Sequence, residues 1–325
     1  MAQPCLGIQG SRRVIKVKVL ITGVGGFIGS NLAAAHLAHG DEVIGIDNFS
    51  TGNHENLKDL GELKLFDGGV TDSLDKVQED INIAYHFASP ASPEKYMALA
   101  MNTMEVNTSG TLAMLQYSLQ TGARLVFAST SEIYGDPLVS PQSEDYWGNV
   151  NPIGPRSVYD EAKRFGETLV AHFKREHNIN VGIVRIFNTY GPKMDPYDGR
   201  VVSTFIRQAL KNEPFTIFGD GSQTRSFCYI DDLVRGIISM GAGNHPGPIN
   251  LGNPRENTLL ELAKLVTEIV GGSGEIKFLD LPEDDPKTRN PDITRARTIL
   301  DWEPSVSLEV GIKKTASWIA DHLSA

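Results

Sequence analysis

The stretch Val14-Ile15-Lys16-Val17-Lys18-Val19-Leu20-Ile21-Thr22-Gly23-Val24-Gly25-Gly26-Phe27-Ile28-Gly29 decides the architecture. Val14 to Ile21 is dense in Val, Ile and Leu and stops at Thr22-Gly23, the pattern of a buried strand. Glycines punctuate the residues that follow, and Ile28 to His39 then has helical spacing closed by Gly40. A strand, a glycine turn and a helix in that order leave free backbone N–H groups at the helix start. A pyrophosphate can approach them because no side chains stand in the way. The strict G-x-G-x-x-G spacing fails, since Ile28 stands where the last glycine would be. Gly23, Gly26 and Gly29 hold a G-x-x-G-x-x-G spacing instead.

Outward from this turn the same rhythm repeats. Glu42–Ile46 is a second β-type run ending in Asp47, and Leu63–Phe66 ends in Asp67. Ile81–Phe87 runs into Ala88-Ser89-Pro90, Ala123–Ala128 into Ser129-Thr130-Ser131, and Val181–Phe187 into Asn188. Helical stretches lie between most of them, including a long one expected from about Tyr96 to Gln120. Strands alternating with helices mean parallel βαβ units, hence an α/β fold with a doubly wound parallel Rossmann sheet. Ligands of such sheets sit beyond the carboxyl ends of the strands, where Asp47, Asp67, Ser89, Thr130 and Asn188 are expected to share one crevice. Asp47 would accept hydrogen bonds from an adenosine ribose and repel a 2′-phosphate, which favours NAD over NADP. After Asn188 prolines multiply and elements shorten. This predicts a smaller mixed α/β substrate-binding lobe ending in a helix from about Ser307 to Leu323. The expected division is a tail 1–13, a dinucleotide-binding domain 14–187 and a lobe 188–225 plus 253–325, with about 226–252 returning to the first domain.

Composition narrows the partners. The 325 residues carry 30 Lys plus Arg against 40 Asp plus Glu, a formal charge of −10. Nucleic-acid backbones and anionic membranes call for a basic face, so neither is expected as a partner. Cys5 and Cys228 cannot build a disulfide framework, and His36/His39 and His172/His177 lack companion ligands, so no metal is expected. No apolar run approaches a membrane span and residues 1–13 lack a signal-peptide core, which gives a cytoplasmic expectation.

Tyr159-Asp160-Glu161-Ala162-Lys163 opens a helix after Pro152–Arg156, and Tyr159 and Lys163 at i and i+4 project from one face. Ionising a free tyrosine at neutral pH costs about 4 kcal/mol, and a lysine cation one turn away offsets part of it. The pair is then a base that takes a hydroxyl proton as hydride leaves the same carbon. Thr130 is the hydroxyl expected to share that proton. Ser129 or Ser131 could instead cap the following turn.

Several longer segments carry more specific information. They are His86-Phe87-Ala88-Ser89-Pro90-Ala91-Ser92-Pro93, Thr130-Ser131-Glu132-Ile133-Tyr134-Gly135-Asp136-Pro137 and Tyr146-Trp147-Gly148-Asn149-Val150-Asn151-Pro152-Ile153-Gly154. Further on come Arg185 to Pro192, Asp198-Gly199-Arg200-Val201-Val202, Gln223 to Tyr229 and Pro282 to Ile293. From about Val17 to the last helix the chain resembles the extended short-chain dehydrogenase/reductases that act on nucleotide sugars, and within them the branch that decarboxylates UDP-glucuronate.

That resemblance implies the rest of the site. Thr130, Tyr159 and Lys163 would oxidise the sugar, and Glu132 and Arg289 would handle its carboxylate and the proton returned at C5. NAD would be held by Gly23, Gly26, Phe27, Ile28, Gly29, Asp47, Asn48, Phe49, Thr51, Gly52, Asp67, Gly68 and Ala88 together with Tyr159 and Lys163. The UDP-sugar would lie against Ser89, Pro90, Ser131, Asn188, Arg200, Arg225 and Arg289, in a homodimer whose helices near 96–120 and 157–176 pack across a two-fold axis. Two departures stand out: Glu94-Lys95 lies where the family usually has a Pro/His-rich pair, and Asn290 where it usually has Lys.

The implied reaction is oxidation at C4, loss of CO2 from the resulting β-keto acid, reprotonation at C5 and return of hydride to give UDP-xylose. Other readings remain open. A UDP-glucuronate 4-epimerase would share the oxidation, a variant would release the 4-keto pentose with NADH, and a non-catalytic sensor could lose Tyr159 or Lys163. A 4,6-dehydratase needs an acid where Ser131 stands, and serine is too weak for that task.

Overall fold

The computed structural model describes residues 16–280 and 288–323. The tail 1–13, Cys5 and the first part of the Pro282–Ile293 segment lie outside these residues. Seven parallel strands form the central sheet, in the spatial order Ile249–Leu251, Val181–Ile186, Arg124–Thr130, Ile83–His86, Lys18–Thr22, Glu42–Asp47 and Leu63–Asp67. The chain winds one way from the first strand to the third, then crosses back to lay the fourth strand on the other side of the first. The switch point therefore falls between Lys18–Thr22 and Ile83–His86, where a doubly wound sheet opens its ligand crevice.

Alternation of side chains along each strand separates two apolar layers. Val19 and Ile21 face Leu32, Ala33, Leu233 and Ile237 of helices Phe27–His39 and Ile230–Ala242. Leu20, Leu125 and Phe127 face Met114, Leu115, Val170 and Phe173 of helices Thr111–Thr121 and Ser157–His177. Both sheet faces are thus covered, which is why the strands read as continuous apolar runs.

After Val181–Ile186 the chain makes the short strand Thr189–Tyr190, paired in parallel with Cys228–Tyr229. Helix Val201–Leu210, the parallel pair Phe215–Phe218 and Ile276–Leu279, the antiparallel pair Thr224–Ser226 and Glu256–Thr258, and helices Leu259–Val270 and Leu308–His322 form the irregular lobe. The seventh sheet strand, Ile249–Leu251, comes from the late segment and pairs with Val181–Ile186.

One sequence expectation changes. The helix expected over 96–120 is four pieces: Pro93–Ala98, Ala100–Glu105, a π-turn at Val106–Gly110 and Thr111–Thr121. Leu99, at φ −113° and ψ 43°, breaks the first turn. Single π-turns inside helices often accompany functional sites. Here the turn carries Asn107, whose side-chain amide donates to Ser89 Oγ at 2.8 Å.

Candidate active site

The glycine turn is built for a close approach. Gly23 has φ +75°, and a Cβ there would stand 2.7 Å from the Ala88 backbone nitrogen. At Gly29 a Cβ would come within 2.1 Å of the Gly23 carbonyl oxygen, so the helix can pack on the strand only with glycine at this position. Gly26 caps helix Phe27–His39 with no side-chain hydrogen bond, and no acidic residue lies in the first turn. The first N–H groups of a thirteen-residue helix therefore face the crevice without an internal acceptor, an arrangement suited to a pyrophosphate. Gly29→Ala is expected to cost more than the usual ~1–3 kcal/mol of overpacking and to abolish NAD binding. Thermal melts and fluorescence titration with NADH check it, and a wild-type dissociation constant would overturn the assignment of this cradle.

Asp47 is buried, and both its oxygens accept backbone N–H bonds, from Gly25 at 2.8 Å and Phe49 at 2.7 Å. Burial raises its carboxyl above the ordinary range, against the pull of those two bonds, and Asp67 on the neighbouring strand adds to the rise. Each carboxylate oxygen keeps a lone pair for a ribose hydroxyl. Phe49, at φ +53°, stacks on His54 with ring centroids 3.5 Å apart and turns Ser50–Asn53 back onto the glycine turn. Gly68 donates its N–H to the Asp47 carbonyl oxygen at 2.8 Å.

A cavity of about 1000 Å³ runs from the glycine turn to the irregular lobe. It is lined by the expected Gly23, Gly26, Phe27, Ile28, Gly29, Thr51 and Gly52 at one end. Asn188, Arg200 and Arg225 line it at the other, with Ser89, Thr130, Ser131, Glu132, Tyr159, Lys163 and Arg289 between. Strand Arg124–Thr130 delivers Thr130 to its floor, and helix Ser157–His177 delivers Tyr159 and Lys163. Tyr159 is 5 % exposed and its phenol hydrogen-bonds the Thr130 side chain. Burial pushes that phenol up, and the Thr130 bond and the Arg200 charge oppose the rise.

Lys163 differs from the sequence expectation. Its Nζ donates to the Ala128 carbonyl at 2.7 Å and stands 5.8 Å from the centre of the Tyr159 ring. Burial lowers its ammonium to about 7, with Glu167 the charge that resists. Loss of water thus weakens the positive charge of the lysine and the acidity of the phenol together.

Glu132 sits at the centre of the polar cluster. A single oxygen, Oε2, accepts from Arg156 at 2.7 Å and from Arg289 at 2.8 Å. Burial alone would raise this carboxyl, but Arg289 and Arg156 hold it below the usual carboxylate range. Arg289 is 3 % exposed, donates also to the Ser131 carbonyl, and keeps a buried Nε without a hydrogen-bond partner among the described residues. Arg200 donates to the Ala91 carbonyl at 2.8 Å across the crevice mouth, where Lys95 lies 3.9 Å from Asp195.

Arg156 was not anticipated, although it stands three residues before Tyr159 on the same helical face and could have been found by that spacing. Tyr96, Asn56 and Lys193 were also missed. Lys193 Nζ donates to the Asn56 carbonyl at 2.8 Å and ties the lobe to the loop over the glycine turn, a pairing between residues remote in sequence.

Asp160, next to Tyr159, is 5 % exposed, and its Oδ1 has no hydrogen-bond partner among the described residues. Burial first, and then Glu132, push this carboxyl up to about 8 from an ordinary 3.8. A carboxyl raised on folding favours the native state below its unfolded value, and that contribution is lost as pH rises through the folded one. Wild-type stability should therefore fall between about pH 4 and pH 8 by a component that Asp160→Asn removes. Denaturant melts of both proteins across this range test it, and parallel curves would count against the buried proton.

The comparisons with known proteins agree with this geometry. Residues 19–252 match the NAD dependent epimerase/dehydratase family. UDP-glucuronic acid decarboxylase 1 of Xenopus tropicalis is 46 % identical over 306 residues, spanning 94 % of this chain and 73 % of that protein. UDP-glucuronic acid decarboxylase 3 of Arabidopsis thaliana is 48 % identical over 297 residues, 91 % of this chain and 87 % of that protein. The solved UDP-glucuronic acid 4-epimerase of Bacillus cereus, in complex with UDP-glucuronic acid and NAD, superposes with a TM-score of 0.84 at 30 % identity, covering 94 % of this chain and 99 % of that one. With a seven-stranded Rossmann sheet, a glycine cradle and a Tyr–Lys pair on one crevice, the chain belongs to the NAD dependent epimerase/dehydratase family.

Proposed function

We propose that this chain is an NAD-dependent UDP-glucuronate decarboxylase that forms UDP-xylose. The observation that carries the reading is the Arg289–Glu132–Arg156 cluster beside the Thr130–Tyr159 pair, with Ser131 where a dehydratase needs an acid. A hexuronate offers a carboxylate to a planar guanidinium, and a neutral hexose does not. The 46–48 % identity to proteins named UDP-glucuronic acid decarboxylases supports the same substrate.

NAD held by Gly23, Gly26, Gly29 and Asp47 supplies the hydride acceptor at C4 and the donor that later restores it. Tyr159 takes the C4 hydroxyl proton, and Thr130 shares it. The 4-ketone makes the C6 carboxylate a β-keto acid. When the C5–C6 bond breaks, CO2 leaves and its electron pair moves into an enolate whose oxygen lies against Tyr159 and Thr130. A sugar carboxylate arriving at Arg289 competes with Glu132 for the guanidinium, which raises Glu132 so that it takes up a proton from solvent and hands that proton to C5 in place of the lost CO2. Arg200 and Arg225 hold the anionic diphosphate against the lobe.

Incubation with UDP-glucuronate should give UDP-xylose and one CO2 per sugar by mass spectrometry, with no net NADH. A product that retains C6 would assign the chain to 4-epimerisation instead, and accumulating NADH to release of the 4-keto pentose.

The working form is proposed to be a homodimer. Met97, Met101, Leu112, Leu119 and Phe165 expose apolar surface on the helical segments 93–121 and 157–177. Light scattering at micromolar concentration should give twice the 35.4 kDa of one chain, and a monomer mass at that concentration would refute it.

A further inference from the structure

Arg289 must be aimed across the crevice, and no regular element aims it. It lies between strand Ile276–Leu279 and helix Thr294–Leu300, outside any helix or strand. Its guanidinium nevertheless meets Glu132 Oε2 at 2.8 Å, a partner 157 positions away in the sequence, and the Ser131 carbonyl beside it.

The peptide group that follows Arg289 is held at both ends. Ser226 Oγ donates to its carbonyl oxygen at 3.0 Å, and its N–H, on Asn290, donates to Gln142 Oε1 at 2.9 Å. A peptide group is planar, so gripping both ends fixes the one torsion that joins this plane to the Arg289 Cα. The direction in which the arginine side chain departs is then set as well. Ser226 ends the lobe strand Thr224–Ser226, and Gln142 lies in the loop that precedes helix Ser157–His177. Both side chains are fully buried, so neither offers surface to the crevice.

Gln142 itself is anchored from several sides. Its backbone N–H donates to the Asn290 carbonyl at 2.8 Å, and its carbonyl accepts from Asp292 N–H at 2.9 Å. Its Nε2 donates to the Val139 carbonyl at 2.7 Å. The Asn250 side chain donates to the carbonyls of Gln142 and Asp292, at 2.9 and 3.0 Å. Turning the Gln142 amide away would strip the Asn290 N–H of its acceptor, and losing one partner of a buried pair costs more than the bond is worth. The network therefore has one stable arrangement.

We propose that Gln142 and Ser226 are positioning residues of the reaction: together they lock the Arg289–Asn290 peptide, and the lock keeps the guanidinium on Glu132 and on the sugar carboxylate. This rests on the reading of the crevice as a UDP-glucuronate decarboxylase. Gln142→Met keeps the length of the side chain and removes both amide bonds. CO2 release from UDP-glucuronate should fall ~10–100-fold, the usual cost of a working group displaced by about an ångström. On rapid mixing, NADH should form from bound NAD+ at nearly the wild-type rate, because Thr130, Tyr159 and the glycine cradle are untouched. UDP-galacturonate should then appear beside UDP-xylose. Ser226→Ala removes one oxygen and should show the same split at smaller size. In an Arg289→Ala background neither substitution should lower CO2 release by more than about twofold, since residues acting through a third lose their effect without it. The calorimetric preference for UDP-glucuronate over UDP-glucose should fall in step with CO2 release.

Equal losses of NADH formation and CO2 release would mark a general structural role and overturn the proposal. Wild-type CO2 release in either variant would do the same, as would losses that add in full to that of Arg289→Ala. If Gln142→Met does not fold, Ser226→Ala decides. Failure of the underlying reading looks different. Wild-type protein then releases no CO2, and the aim of Arg289 is judged on the sugar preference alone, whose absence from wild type would overturn it too.

Discussion

Tyr159→Phe is expected to lower kcat on UDP-glucuronate by about a thousandfold, within the range usual for loss of a general base. The substitution removes one oxygen and little else. The ring keeps its stack on Tyr96 at 4.9 Å, and its enclosure on helix Ser157–His177 is unchanged. Folding stability should not suffer, because a buried phenol is exchanged for an apolar ring of the same shape and Thr130 Oγ1 still accepts the Glu132 N–H within its own turn. NAD affinity should stay within a few-fold, since the glycine cradle is untouched. Product formation by chromatography, melting temperature and NADH titration measure the three quantities. A kcat within tenfold of wild type would move the base elsewhere in the crevice.

The second large effect is expected at Arg289. Arg289→Ala should reduce CO2 release by about 10²–10³-fold, the cost typical of removing one preorganised donor from a developing charge. NAD binding should change little, because the guanidinium of Arg289 donates to Glu132 and to the Ser131 carbonyl and to no residue of the glycine turn. Glu132 would keep only Arg156 of the two guanidiniums that now share its Oε2, so its carboxyl should rise. With oxidation intact and decarboxylation crippled, the 4-keto hexuronate has time to be reduced from either face, and UDP-galacturonate should appear beside UDP-xylose. Arg289→Lys retains the charge but not the planar fork and should fall between the two. Equal loss of NAD binding and of CO2 release would show that Arg289 acts through the fold and not on the carboxylate.

The local features of the molecule were legible because they are periodic or nearly so. An apolar run ending in a glycine turn and a helix specifies one βαβ start, and the spacing of Tyr159 and Lys163 specifies one helical face. Elsewhere the pattern misled. The run from Tyr96 to Gln120 is helical in composition, but Leu99 and the π-turn at Val106–Gly110 break it into pieces. Those breaks answer to packing against helix Ser157–His177, which a local pattern does not contain.

What the sequence by itself determined is the doubly wound sheet, the glycine cradle and the identity of most groups on the crevice, because these follow from hydrophobic period, turn chemistry and side-chain type. The charge state of those groups was decided by the tertiary structure. A lysine beside a tyrosine reads as a cation beside a base, yet burial brings Lys163 down to about 7 and pushes Tyr159 up. Glu132 stays ionised only because Arg156, from the start of one helix, and Arg289, from a distant loop, meet on one oxygen. Tyr96 joined the site by the same means, through a stack between residues 96 and 159. Desolvation and charge pairing depend on what surrounds a group in space, and residues remote along the chain become neighbours only when it folds.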